Sequence, residues 1–148
     1  MAIAGNTLAQ RRPGEVRYYG QAGDPYGMNV TRMDSHGGWI ARPADMVRFL
    51  MHVDGFATPP DILRPPTIRS MTTASSANPG YAKGWSVNRA GNWWHAGSLP
   101  GTATIAVRTH SGFCWAAFVN IRRPNSPFAG DLDRLVWEMA RKVRGWNA

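Results

Sequence analysis

The chain has 148 residues, 43% of them hydrophobic and 18% charged, which is one ordinary domain's length with a core's worth of apolar side chains and excludes a disordered chain. Its formal net charge of +8 rests on 17 basic residues. Most are arginines scattered singly, with Arg11-Arg12, Arg122-Arg123 and Arg141-Lys142 as adjacent pairs, whereas a nucleic-acid surface clusters its cations; the charge reads as a solvated surface, and nucleic acid is not expected as a partner.

In chain order, residues 1–38 are rich in Gly, Pro, Asn and polar groups and are predicted to run mostly as extended chain or loop, with "EVRYYG" a short extended candidate. The opening "MAIAGNTLAQRRPG" has no long apolar stretch and the chain has no apolar run of bilayer length, so neither a signal peptide nor a membrane span is expected; the location stays unknown, with cytoplasmic as the default. Residues 43–78 are predicted helical. Met46, Phe49, Leu50 and Val53 fall at i, i+3, i+4 and i+7 after Pro43, with Gly55 as the stop. Prolines 59, 60, 65 and 66 limit "TPPDILRPPTIRSMTTASS" to two short helical turns.

From residue 81 to 121 the period changes to two. "YAKGWSV" reads as a strand, as do residues 92–97, "TATIAVRT" and "GFCWAAFVN", with "HSG" at 110–112 as a hairpin turn. Trp93 and Trp94 alternate across their strand, so one packs in the core and the other faces a cleft or solvent. Cys114 has no partner cysteine and sits among apolar neighbours, which makes it a buried structural thiol. Residues 126–145 form the last helix: Ser126 caps, Pro127 takes the first position, Asp131 and Asp133 lie near the positive end, and Arg141, Lys142 and Arg144 near the negative end. Phe128, Leu132, Leu135, Val136, Met139 and Val143 make its apolar stripe, ended by Gly145. The fold class is therefore α+β, a single domain with an antiparallel sheet of three to four strands and a long C-terminal helix packed on it.

The candidate site is "NWWHAGSLPGT", residues 92–102, where two tryptophans and a histidine run into a Gly-Ser-Leu-Pro-Gly turn. "GSLPGT" lacks the Lys-Ser/Thr ending of a phosphate loop and joins strand to strand. His36, before a Gly-Gly pair, and His110, in the hairpin, read as loop residues, and His52 as the exposed side of its helix. No histidines, cysteines or carboxylates have metal-ligand spacing, and neither metal nor cofactor is expected.

Three segments together resemble the C-terminal half of the serine β-lactamase, penicillin-binding protein and related esterase superfamily, over roughly residues 15–145. "GGWIARPADMVRFLMHVDG" is similar to the family's Gly-Gly turn and Ser-x-x-Asp-capped helix, with Arg42 in the serine's place and Asp45 matching. "GYAKGWSV" resembles its Tyr-Gly-Trp strand. "HAGSLPGTATIAVRTHSGFCWAAFVN" resembles the strand pair carrying the third catalytic motif, Lys-Thr-Gly in many members and His-x-Gly in others. The resemblance places His95, Ala96 and Gly97 on that motif and gives the Ser98 backbone N–H as one of two oxyanion-hole donors. His95, Gly97 and Ser98 are then the catalytic positions, and Trp94, Ala96 and Leu99 line the substrate. A histidine beside the reacting carbonyl anchors an acid group or assists proton transfer, and glycine lets a substrate lie along the strand. Ala96 departs from the usual hydroxyl residue, which removes one substrate hydrogen bond.

Two family motifs find no match. No serine is followed three positions later by lysine, since Lys83 and Lys142 are preceded at that spacing by Gly80 and Met139, and no tyrosine is followed two positions later by asparagine. In the family both motifs lie upstream, so the resemblance implies a chain that starts after them and is nearly inert alone. The expected activity is acyl transfer from an ester, amide or β-lactam, a small acyl substrate, with the serine supplied by an N-terminal hydrolase half. The alternative is a non-catalytic binding or assembly module of the same fold, as a homo-oligomer.

Overall fold

A computed structural model describes residues 1–20 and 23–143. Along the chain run β1 (Ala2–Ile3), α1 (Val30–Met33), β2 (Trp39–Ile40), α2 (Pro43–Met51), α3 (Pro65–Thr72), β3 (Ser86–Val87), β4 (Trp93–Leu99), β5 (Thr102–Arg108), β6 (Cys114–Val119) and α4 (Phe128–Lys142). The fold is α+β. Strands β3 to β6 form one antiparallel sheet in sequential order, and β1 pairs with β2 in a second, two-stranded sheet.

Register decides which side chains meet. Trp93 stands opposite Arg108, His95 opposite Ala106 and Gly97 opposite Thr104, while Ala106 faces Ala116 and Arg108 faces Cys114 on β6. Directly opposed residues share a face and successive ones alternate, so Trp93, His95, Gly97, Ala106 and Cys114 lie on one side of the sheet. Trp94, Ala96, Val107, Ile105, Ala103 and Trp115 lie on the other.

Helix α2 covers the first face. Leu50, Val53, Trp93 and Ala106 form a buried cluster, with Met46, Leu63, Trp85, Val87 and Cys114 packed against it. Helix α4 covers the second, where the Trp137 ring meets Trp115 edge-on at 4.6 Å over the buried Ala103, Ile105 and Val107. Each fully buried Leu or Val contributes about 1.5–3 kcal/mol by leaving water, so this layering of helix, sheet and helix is where the stability resides.

Several local expectations are corrected. Helix α2 ends at Met51, ahead of Gly55, because the His52 N–H closes back on Arg48 and Phe49 carbonyls and the His52 Nδ1–H donates to the Pro60 carbonyl at 2.9 Å. Phe49 is exposed, and Val53 is buried from the loop that follows. "YAKGWSV" is not one strand: Tyr81 makes a single bridge to Ser86, Gly84 turns the chain at φ +83°, and only Ser86–Val87 continues. "EVRYYG" makes one parallel bridge, Tyr19 to Ile121, and residues 1–38 also hold β1, α1 and a 3-10 turn at Leu8–Gln10. In α4 the cap is Pro127, one residue later than expected, with the Ser126 hydroxyl accepting from the Phe128 N–H at 3.4 Å. Leu135, Met139 and Val143 of the expected stripe are exposed, while Trp137 and Ala140 turn inward beside Leu132 and Val136. Arg144 and Gly145 lie outside the described residues. Among the described residues no helix is long and apolar enough to cross a membrane.

Candidate active site

Strand β3 is two residues long and pairs with β4 only at Trp93 and Trp94. From His95 to Leu99, β4 therefore has β5 on one side and, among the described residues, no strand on the other. An unpaired strand edge presents main-chain donors and acceptors to whatever extended group arrives. His95, Ala96, Gly97 and Ser98 are exposed there, and Trp94 and Leu99 are half-buried at the two ends.

The strand is held at both ends. At the far end the chain turns through Pro100 and Gly101, whose φ is +80°. A side chain at Gly101 would put its Cβ 2.7 Å from the Pro25 Cβ and 2.9 Å from the Tyr18 Cβ, so this turn is clamped under the segment that carries those residues and only glycine fits. Leu99 leans on the turn at Gly37 (φ +105°), where an added Cβ would lie 3.9 Å from its Cδ1. The "HGG" turn thus abuts the end of the candidate site.

At the near end Trp93 is locked in the core. The Trp85 ring meets it edge-on at 4.5 Å, and the Arg108 guanidinium lies 5.4 Å from its centroid and 4.3 Å from that of Phe56. Arg108 also donates from Nη2 to the Asp54 carbonyl and from Nη1 to the Gly91 carbonyl, tying β5 to two loops. Burial pushes the Asp54 carboxyl and the Cys114 thiol up, the thiol to about 11 with help from the Asp54 charge, and pulls the Arg108 guanidinium down. A cavity of about 280 Å³ opens beside Asp54, Ile68, Arg69, Asn92 and Arg108, at this end rather than at His95. This corner is structural, and Cys114, expected to be buried, is half-buried in it and packed against the core cluster.

Between the two ends, the register brings His95, Gly97 and Leu99 onto one face and turns the side chains of Trp94, Ala96 and Ser98 to the other. The Tyr81 hydroxyl lies 3.0 Å from His95 Nε2, with the two rings at 71° and 6.0 Å between centroids. Gly97 faces Thr104 so closely that a Cβ would sit 2.6 Å from the Thr104 hydroxyl oxygen. Glycine at 97 therefore leaves room for the half-buried Thr104 hydroxyl, on the same face of the sheet as His95. Tyr81 and Thr104 were not among the site residues read from the sequence: one lies 14 positions from His95 and the other across a strand pair, and no spacing signals either. Among the described residues, no group of three or more His, Cys, Asp or Glu side chains is placed to hold a metal ion.

An exposed histidine and glycine thus stand on the unpaired stretch of β4, followed by a Ser-Leu-Pro-Gly turn clamped at Gly101. Comparison with known proteins agrees with the architecture: the Beta-lactamase family model matches residues 4–136. No curated protein and no solved structure matches the chain. With the match running through nearly the whole chain and over all four strands of the main sheet, the chain belongs to the Beta-lactamase family.

Proposed function

We propose that the chain supplies the third-motif wall of a serine-hydrolase acyl-transfer site, and that the attacking serine and its base come from a separate N-terminal hydrolase half. The single observation that carries this is the exposed His95 on the unpaired stretch of β4, with Gly97 and Ser98 beside it. In the proposed reaction the serine oxygen bonds the acyl carbon of a small carboxylic ester and its proton passes to the base. The carbonyl oxygen takes up negative charge, which the Ser98 amide stabilises by donating a hydrogen bond, and the alkoxide leaves with a proton. His95 stands where it hydrogen-bonds the substrate's acyl group or the departing oxygen, and histidine in place of lysine favours an ester over a β-lactam. Trp94, Ala96 and Leu99 contribute through the strand's backbone and its ends.

The sequence offers no Ser-x-x-Lys, and a serine hydrolase stripped of its nucleophile loses roughly a millionfold in turnover. The test is fluorophosphonate labelling and chromogenic ester or cephalosporin turnover, on the chain alone and after mixing with a family N-terminal half that carries Ser-x-x-Lys. Activity that appears only on mixing supports the proposal. A second reading, a non-catalytic module that self-associates, is favoured by one observation: Leu135 and Met139 stand exposed one turn apart on α4 at 53% and 59%, with Val143 exposed just past its end. Light scattering that shows a stable homo-oligomer, with no turnover in either assay, supports that reading instead.

A further inference from the structure

We propose that Tyr81 is a positioning residue for His95, holding Nε2 in both charge states of the imidazole so that Nδ1 is the nitrogen left to act on a substrate. The second half of this inference rests on the acyl-transfer reading above; the first does not. Among the described residues the Tyr81 hydroxyl is the one hydrogen-bond partner of the His95 ring. A phenol both donates and accepts. Toward the neutral ring Tyr81 donates its O–H to Nε2, which keeps the ring proton on Nδ1; toward the imidazolium it accepts from Nε2–H, its own proton rotating away. The ring is thus held in one orientation while it gains or loses a proton, which is what a group that serves a changing substrate charge requires.

The backbone explains how an exposed contact keeps its geometry. Tyr81 bridges Ser86, and Ser86 pairs with Trp94, the residue before His95, so two ladder steps bring the two backbones alongside one another. The Tyr81 N–H donates to the Asn78 carbonyl at 3.2 Å, and the Tyr81 carbonyl accepts from the Ser75 N–H at 2.9 Å. The turn at Gly84 that breaks the expected strand is therefore also what swings Tyr81 back to the rim of β4. A straight strand through residues 81–87 would not fold Tyr81 over onto Ser86.

The tautomer is measurable without any partner half. Nitrogen NMR of the full chain, labelled at histidine and recorded where the rings are neutral, distinguishes Nδ1–H from Nε2–H. His52 is an internal reference, because its Nδ1 faces a carbonyl, which only accepts. The expected result is an Nδ1–H tautomer for His95 in the wild type, reverting to the usual Nε2–H majority in Tyr81→Phe with the His52 signal unmoved. An Nε2–H tautomer in the wild type overturns the assignment, as does a His95 spectrum indifferent to Tyr81→Phe. If that variant fails to fold, the wild-type spectrum still decides, since no other described donor reaches Nε2. Once complementation is in hand, Tyr81→Phe is expected to lower ester turnover roughly tenfold and to add nothing in a His95→Ala background. Failure of complementation with the expected tautomer defeats the hydrolase reading alone; activity with the wrong tautomer defeats the positioning role alone.

Discussion

Trp93 and His95 sit two residues apart on the same face of the same strand, yet one is 4% exposed and the other stands open to solvent. Strand β3 pairs with β4 beside Trp93 and no further, and Trp85, Arg108 and Phe56 close around that end. Beyond Trp94 the covering stops, and His95 keeps one partner, the Tyr81 hydroxyl. The lesson is that a single strand is a buried anchor at one end and an open edge at the other, and that a two-residue neighbour strand draws the line between them. Rigidity is supplied at Trp93 and at the Gly101 turn, and the candidate site lies between them.

The comparison sharpens if the two halves of β4 respond differently to substitution. Trp93→Ala is expected to cost about 3–5 kcal/mol, by removing the ring that Trp85 and Arg108 pack on, and urea unfolding should show a lower midpoint at an unchanged slope. Cys114, on the anchored side, should react with a thiol reagent near pH 8 roughly a hundredfold more slowly than a free cysteine, because its thiol is pushed up to about 11. Its folded value lies above its unfolded one, so its contribution to stability is complete below pH 9 and is lost as pH rises toward 11; alkaline unfolding of Cys114→Ala should lack that loss. Gly97→Ala, on the open edge, should cost about 1 kcal/mol through the Thr104 hydroxyl, and Thr104→Ala should relieve most of it in a double-mutant cycle. His95→Ala should change unfolding stability by less than about 0.5 kcal/mol, as expected for an exposed side chain outside the core. A large loss at His95, or a small one at Trp93, breaks the division of the strand.

Much of the architecture was legible because alternation and helical periodicity record burial directly. The sheet, the hairpin at 110–112 and both long helices follow from them, and Trp93 and Trp94 divide between core and partial exposure as alternation requires. Helix α4 shows where that record fails. Its apolar residues outnumber one face, and hydrophobicity alone placed Leu135 and Met139 inside; the choice was made by Trp115, whose ring meets Trp137 and rotates the helix toward it. Sheet β1–β2 was missed because two residues give no period and their partners, Ile40 for Ala2 and Trp39 for Ile3, lie far along the chain. At the candidate site, residues 95–98 were singled out through family resemblance, whereas Tyr81 reaches His95 where Gly84 turns the chain back.

The most direct test of the central claim is ester turnover by an equimolar mixture of this chain with a Ser-x-x-Lys-bearing N-terminal half, measured for wild type and for His95→Ala. Turnover that neither piece shows alone, and that falls at least tenfold in the variant, is the expected result. Equal turnover in wild type and variant, or none in the mixture while both pieces are folded and associated, would contradict the assignment of β4 as the wall of an acyl-transfer site.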